Sequence, residues 1–140
     1  MKKTILALLV LVSFEAAAFE VKEKYYHLIK GDESLCSSGP ARIIKDEGEE
    51  TFTLATIISI PLIKKETREK VADGQCLQVD QLVRSENKLI FTSVTKECSQ
   101  KFKKLERRVV QFVTIEGDKL TYKIVTGSSS KECLFKEGEK

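Results

Sequence analysis

From Arg107 to Phe135 the chain sets out two apolar runs, Val109, Val110, Phe112, Val113 and Ile115, then Leu120, Tyr122, Ile124 and Val125, on either side of Glu116-Gly117-Asp118. Apolar runs flanking a short Gly/Asp turn predict a β-hairpin. After a break at Gly127-Ser128-Ser129-Ser130, Cys133-Leu134-Phe135 offers a third short strand, so this third of the chain reads as a three-stranded meander. The same grammar recurs upstream. Between Thr51 and Ile60 the alternation is cleanest, with Phe52, Leu54, Thr56, Ile58 and Ile60 on one side and Thr53, Ala55, Ile57 and Ser59 on the other. Leu77, Val79 and Val83, a turn at Ser85-Glu86-Asn87-Lys88, and the run Leu89 to Val94 predict another hairpin. Strands are thus expected at 41–45, 51–60, 76–84, 88–95, 107–115, 119–126 and 132–136, with a further candidate at 61–65.

Three stretches follow other periods. Val21, Tyr25, Leu28 and Ile29 fall at i, i+4, i+7 and i+8 ahead of Gly31, which predicts a short helix over Glu20 to Lys30. The charge run Lys64 to Lys70 has almost no apolar face and is expected to be a solvated loop or one helical turn. Phe102, Leu105 and Val109 share one helical face, so a turn of helix is expected within Lys96 to Arg108, before the closing hairpin. Seven or eight strands with short connections give an all-β, antiparallel, up-and-down meander. Such a sheet removes its exposed edges most simply by closing into a barrel; a two-sheet sandwich is the structural alternative.

The N-terminus changes the setting of this domain. Lys2 and Lys3, an apolar run from Ile5 to Val12 and Ala16-Ala17-Ala18 have the order of a secretory signal, with cleavage expected after Ala18. The apolar run is about half the ~20 residues that span a bilayer, and Phe19 stands where a lipoprotein would need cysteine. Residues 1–18 are therefore read as a signal peptide, residues 19–140 as one domain, and the location as periplasmic or secreted. Four cysteines in an exported chain predict two disulfides; the C-x2-C spacing of zinc sites is absent. Cys76 and Cys98 lie at nearly equal distances from the turn at Glu86-Asn87, and Cys36 and Cys133 flank the first and last strands, neighbours in a closed meander. The expected pairs are Cys76 with Cys98 and Cys36 with Cys133.

The signal peptide, a short N-terminal helix, the glycine-containing first strand at Gly39-Pro40-Ala41, the meander and the late Cys133 together resemble small bacterial lipocalin-like (calycin) β-barrels. Members usually carry Gly-x-Trp in the first strand. Here Gly39-Pro40-Ala41 holds that place, and the chain has no Trp. The resemblance implies a closed barrel and a small molecule held inside it.

Charge and candidate chemistry narrow the function by exclusion. With 24 basic and 21 acidic residues, interspersed, the net charge of +3 names no partner. The single histidine, His27, has no nucleophile elbow to serve, and neither a Walker loop nor Gly-x-Gly-x-x-Gly is present. No enzyme activity, cofactor or metal is expected. The acidic cluster Asp46-Glu47-Gly48-Glu49 lacks the alternating ligands of a calcium loop and reads as a hairpin tip. The basic stretch Lys96 to Arg108 invites nucleic acid, but Glu97 and Glu106 dilute it and export removes the partner; attraction to anionic lipid surfaces suits it better. What remains is binding. A small apolar molecule would meet the inward residues Phe52, Leu54, Ile58, Phe91 and Tyr122, the last with a polar handle, although these residues also suit a filled core. The alternative is a rigid, disulfide-tied protein-binding module or inhibitor that engages a secreted or envelope protein through a hairpin tip.

Overall fold

The computed structural model of the chain describes residue 19 and residues 21–64 and 66–140. Its ten strands are β1 (Lys24–Lys30), β2 (Gly39–Asp46), β3 (Glu49–Leu54), β4 (Ile58–Pro61), β5 (Thr67–Val71), β6 (Cys76–Ser85), β7 (Lys88–Lys96), β8 (Arg107–Glu116), β9 (Lys119–Thr126) and β10 (Ser129–Gly138). They form one sheet in the order β4-β3-β2-β1-β10-β9-β8-β7-β6-β5, and every pairing is antiparallel. The up-and-down meander is therefore correct and the sandwich is not. Ten strands replace the expected seven or eight. The expected closure is also corrected: β4 and β5 end the sheet and share no ladder.

The sheet nevertheless rolls up. Arg84 on β6 and Glu50 on β3 sit seven strand steps apart, about 34 Å on a flat sheet, yet Arg84 Nη1 lies 3.4 Å from Glu50 Oε2. Only a curled, barrel-like sheet brings them together. Arg84 Nη2 also donates to the Phe19 carbonyl at 2.9 Å, and Lys45 Nζ lies 3.2 Å from Glu50 Oε1. Side chains thus tie one end of the open seam where no backbone ladder does. The hydrogen bond from Lys45, then the charge and hydrogen bond of Arg84, hold the Glu50 carboxyl below its ordinary range.

Three further expectations are overturned, each for a tertiary reason. The stretch expected as a helix over Glu20 to Lys30 contains β1 instead, paired with both β2 and β10. The apolar spacing fits either period, but the ladders of two neighbours satisfy this backbone, and Ile29, part of the supposed stripe, is 53% exposed. The run 51–60 is two strands: the chain turns at Ala55 to Ile57, with Ala55 in the left-handed region at φ 53°. Ala55 N–H bonds to the Pro40 carbonyl at 2.9 Å, and a Cβ at Gly39 would lie 2.6 Å from Ala55 Cα. Gly39 is what lets this bend dock on β2. Its sidedness survives the fold-back, because Phe52 pairs with Ile60 and Leu54 with Ile58.

The charge run 64–70 ends in β5, whose residues Thr67 to Lys70 are exposed. Charged side chains on an edge strand oppose pairing with other chains, which explains why alternation gave no sign of it. Among the described residues of the candidate at 61–65, only Pro61 is in a strand, as the last residue of β4. Within Lys96 to Arg108 the expected turn of helix is a 3₁₀ helix, Gln100–Leu105. The predicted signal segment, 1–18, lies outside the described residues. Cys36 is bonded to Cys133 and Cys76 to Cys98.

Candidate functional site

Cross-strand partners in an antiparallel ladder share a face, so the register of β6 to β9 sorts inward from outward residues. Leu82 pairs with Phe91, and Leu89 pairs with Val113, which pairs with Tyr122. These five strand positions point into the core cluster, together with Phe52, Leu54, Ile58 and Ile60. Further along the same face the chemistry changes. Asp80 pairs with Ser93, Gln78 with Thr95, and Phe91 with Gln111, and all five polar residues are half-buried. The inner face is therefore apolar at the end holding the β6–β7 and β8–β9 hairpin tips and polar toward the opposite end. Within the polar section, Gln78 Nε2 donates to Asp80 Oδ2 at 3.0 Å.

Sequence reasoning missed this polar half because on this strand it rests on the alternation of Leu77, Val79 and Val83 alone. They lie on the outer face. Val79 is buried there beside Val94 and Arg68, whereas Val83 is 62% exposed. The signal was present in the turn-symmetric partner: Leu89 and Phe91 set the inward parity of β7, and pairing across the turn then assigns Arg84, Leu82, Asp80 and Gln78 to the same face.

The five candidate contact residues, Phe52, Leu54, Ile58, Phe91 and Tyr122, are all buried in a single cluster. Tyr122 stands where apolar meets polar. Its ring is 3% exposed, and its hydroxyl donates to Gln111 Oε1 at 2.8 Å. Burial pushes the Tyr122 hydroxyl up to about 12. Because the folded protein holds this proton more tightly than the unfolded chain, stability is constant below pH ~10 and is lost as pH rises from there toward 12. An order of 2–3 kcal/mol is at stake. Denaturant melts across that window should show the loss, and Tyr122→Phe should remove it; a loss of equal size in the variant would mean another group is responsible.

Between the unpaired edges lies an opening of about 640 Å³, lined by Leu62, Ile63, Thr67, Asp80 and the β2–β3 hairpin tip. It leads from solvent to the edge of the inner face, since Leu62 is buried in the core and Asp80 is inward on β6. The described openings do not take in Phe52, Leu54, Ile58, Phe91 or Tyr122. Among the described residues no group of three or more His, Cys, Asp or Glu side chains is placed to hold a metal ion, and no helix is long and apolar enough to cross a membrane. The arrangement offers apolar contact, hydrogen-bond donors and acceptors, and carboxylates, Asp80 on the inner face and Glu49 and Glu50 at the opening.

No protein-family model matches the chain, and no curated protein matches its sequence. Solved structures do overlay on it at low similarity. Apo lipid binding protein 8 of Caenorhabditis elegans is 15% identical, with a TM-score of 0.47 over 82% of this chain and 93% of that one. A Schistosoma mansoni fatty acid binding protein in complex with arachidonic acid is 17% identical, with a TM-score of 0.47 over 83% and 94%. Human cRBP IV is 13% identical, with a TM-score of 0.46 over 85% and 98%.

Proposed function

We propose that the chain is an exported binding protein, not an enzyme, that holds a small apolar molecule against the inner face of its curled sheet. The observation that carries this reading is the graded inner face. Gln78, Asp80, Ser93, Thr95 and Gln111 point inward yet are only half-buried, so this half of the inner face is not closed by apolar packing and presents polar groups that a bound molecule can meet. A molecule with an apolar body and a polar end suits both halves, with Phe52, Leu54, Ile58, Phe91 and Tyr122 around the body. Two disulfides and the signal-like residues 1–18 support an oxidising compartment, periplasmic or extracellular.

The test is uptake of an environment-sensitive apolar dye. Wild type should bind it, and Phe91→Ala should weaken binding about tenfold or more, as removal of a buried aromatic contact does. Tyr122→Phe should weaken only probes with a polar end. If wild type takes up no apolar probe, or Phe91→Ala loses stability without altering uptake, the inner face is filled core and the reading fails.

A further inference from the structure

The connection between β7 and β8 plays no part in the inner face, and it concentrates charge. Residues 96–108 hold Lys96, Lys101, Lys103, Lys104, Arg107 and Arg108 against Glu97 and Glu106, a surplus of four in a chain whose net charge is +3. The hairpin tips 46–49, 85–88 and 116–119 hold the reverse, with Asp46, Glu47, Glu49, Glu86, Glu116 and Asp118 against Lys88 and Lys119. In an up-and-down sheet the β7–β8 connection lies at the end opposite the β2–β3, β6–β7 and β8–β9 tips. Charge is therefore separated along the strands, and such a separation orients a protein in the field of an anionic surface.

The cationic end is also held in shape and partly apolar. Cys98 is bonded to Cys76, and Ser99 N–H donates to the Gln75 carbonyl at 2.9 Å. Residues three apart eclipse in a 3₁₀ helix, which stacks Lys101 over Lys104 and Phe102 over Leu105 in Gln100–Leu105. Leu105 is 40% exposed, and Ile57, in the β3–β4 turn at the same end, is 48% exposed. Glu106 is engaged by Lys103 and by the Cys98 N–H, each at 3.0 Å, and Asp32 by Lys131 at 2.9 Å. Glu97, 3.8 Å from Lys96 Nζ, and Glu33 and Asp73 are further acids at this end. Among the described residues, Lys101, Lys104, Arg107 and Arg108 have no carboxylate within ion-pair distance.

We propose that this end of the molecule docks on a bilayer surface bearing anionic phospholipid headgroups, with Lys101, Lys104, Arg107 and Arg108 toward the phosphates and Leu105 at the headgroup boundary. Nucleic acid fits less well. Its bases need a free aromatic face, whereas Phe102 is half-buried with Lys101 Nζ 5.6 Å from its ring centre, and Leu105 and Ile57 would gain nothing from phosphate. Docking of this kind is independent of what the inner face holds.

Sedimentation with vesicles of phosphatidylcholine alone, or of phosphatidylcholine and phosphatidylglycerol in equal parts, tests it. The protein should bind the mixed vesicles at least tenfold more tightly than the neutral ones, and added salt should weaken the binding. Each cation near an anionic surface contributes about five-fold in affinity, so Lys101→Glu with Lys104→Glu should lose about a hundredfold or more. Lys101→Gln with Lys104→Gln should lose about 25-fold, and thermal melts of both variants should match wild type. Leu105→Ser should weaken binding a few-fold and leave the salt dependence intact. Lys88→Glu with Lys119→Glu, at the opposite end, should leave binding unchanged. Equal binding to neutral vesicles, an equal loss from the Lys88/Lys119 variant, or a DNA duplex bound as tightly as the mixed vesicles at the same salt would each overturn the proposal.

Discussion

Replacing Cys36 and Cys133 together by alanine is expected to lower the unfolding free energy by about 4–5 kcal/mol, and replacing Cys76 and Cys98 by about 3 kcal/mol. The ranking follows from chain separation. Cys36 and Cys133 are 97 residues apart, Cys76 and Cys98 only 22, and a cross-link removes more freedom from the unfolded chain when it closes the larger loop. The long link also joins the β1–β2 connection to β10, on the side of the sheet away from the open seam. Local packing deepens the loss: Cys133 is fully buried, and Gly31 approaches so closely that a Cβ there would lie 2.9 Å from the Cys133 Cα and Sγ. Domains have only about 5–15 kcal/mol to lose, so the first variant should be marginal at room temperature. Urea melts of both variants would decide; a larger loss from the Cys76/Cys98 pair would show that native packing, not loop closure, sets the order.

Phe52→Ala should cost about 3–5 kcal/mol, the range for truncating a fully buried Phe. Phe52 is completely buried on β3, and Phe19 meets it edge-on with ring centres 5.8 Å apart and planes at 81°. Phe19 is fastened in turn by Arg84 through its carbonyl. A cycle of Phe52→Ala, Phe19→Ala and the double variant should therefore return a coupling of about 1 kcal/mol beyond area burial. This measurement also bears on the inner face. A side chain lining empty space has partners on one side only and loses less when truncated, so a cost under about 1 kcal/mol for Phe52→Ala would argue that the apolar end encloses a void.

The sequence by itself determined the features that depend only on near neighbours. Alternation and turn chemistry at Glu116-Gly117-Asp118 and at Ser85 to Lys88 are local, so β6 to β9 emerge at nearly their observed limits, and the sidedness of Phe52, Leu54, Ile58, Phe91 and Tyr122 emerges with them. The helical turn after Cys98 was legible for the same reason. Tertiary structure decided the rest. Whether Tyr25 to Ile29 coil or extend depends on two strands, β2 and β10, that come later in the chain and need a partner. The turn at Ala55 depends on the absence of a Cβ at Gly39, and β5 is a strand only because β6 offers it an edge. The polar half of the inner face was hidden by Leu77 and Val79, apolar residues that face outward. Closure could not be read at all: β4 and β5 remain apart, and one end of the seam is held by Arg84, Glu50, Lys45 and Phe19, a contact between charges and a carbonyl that no periodicity encodes.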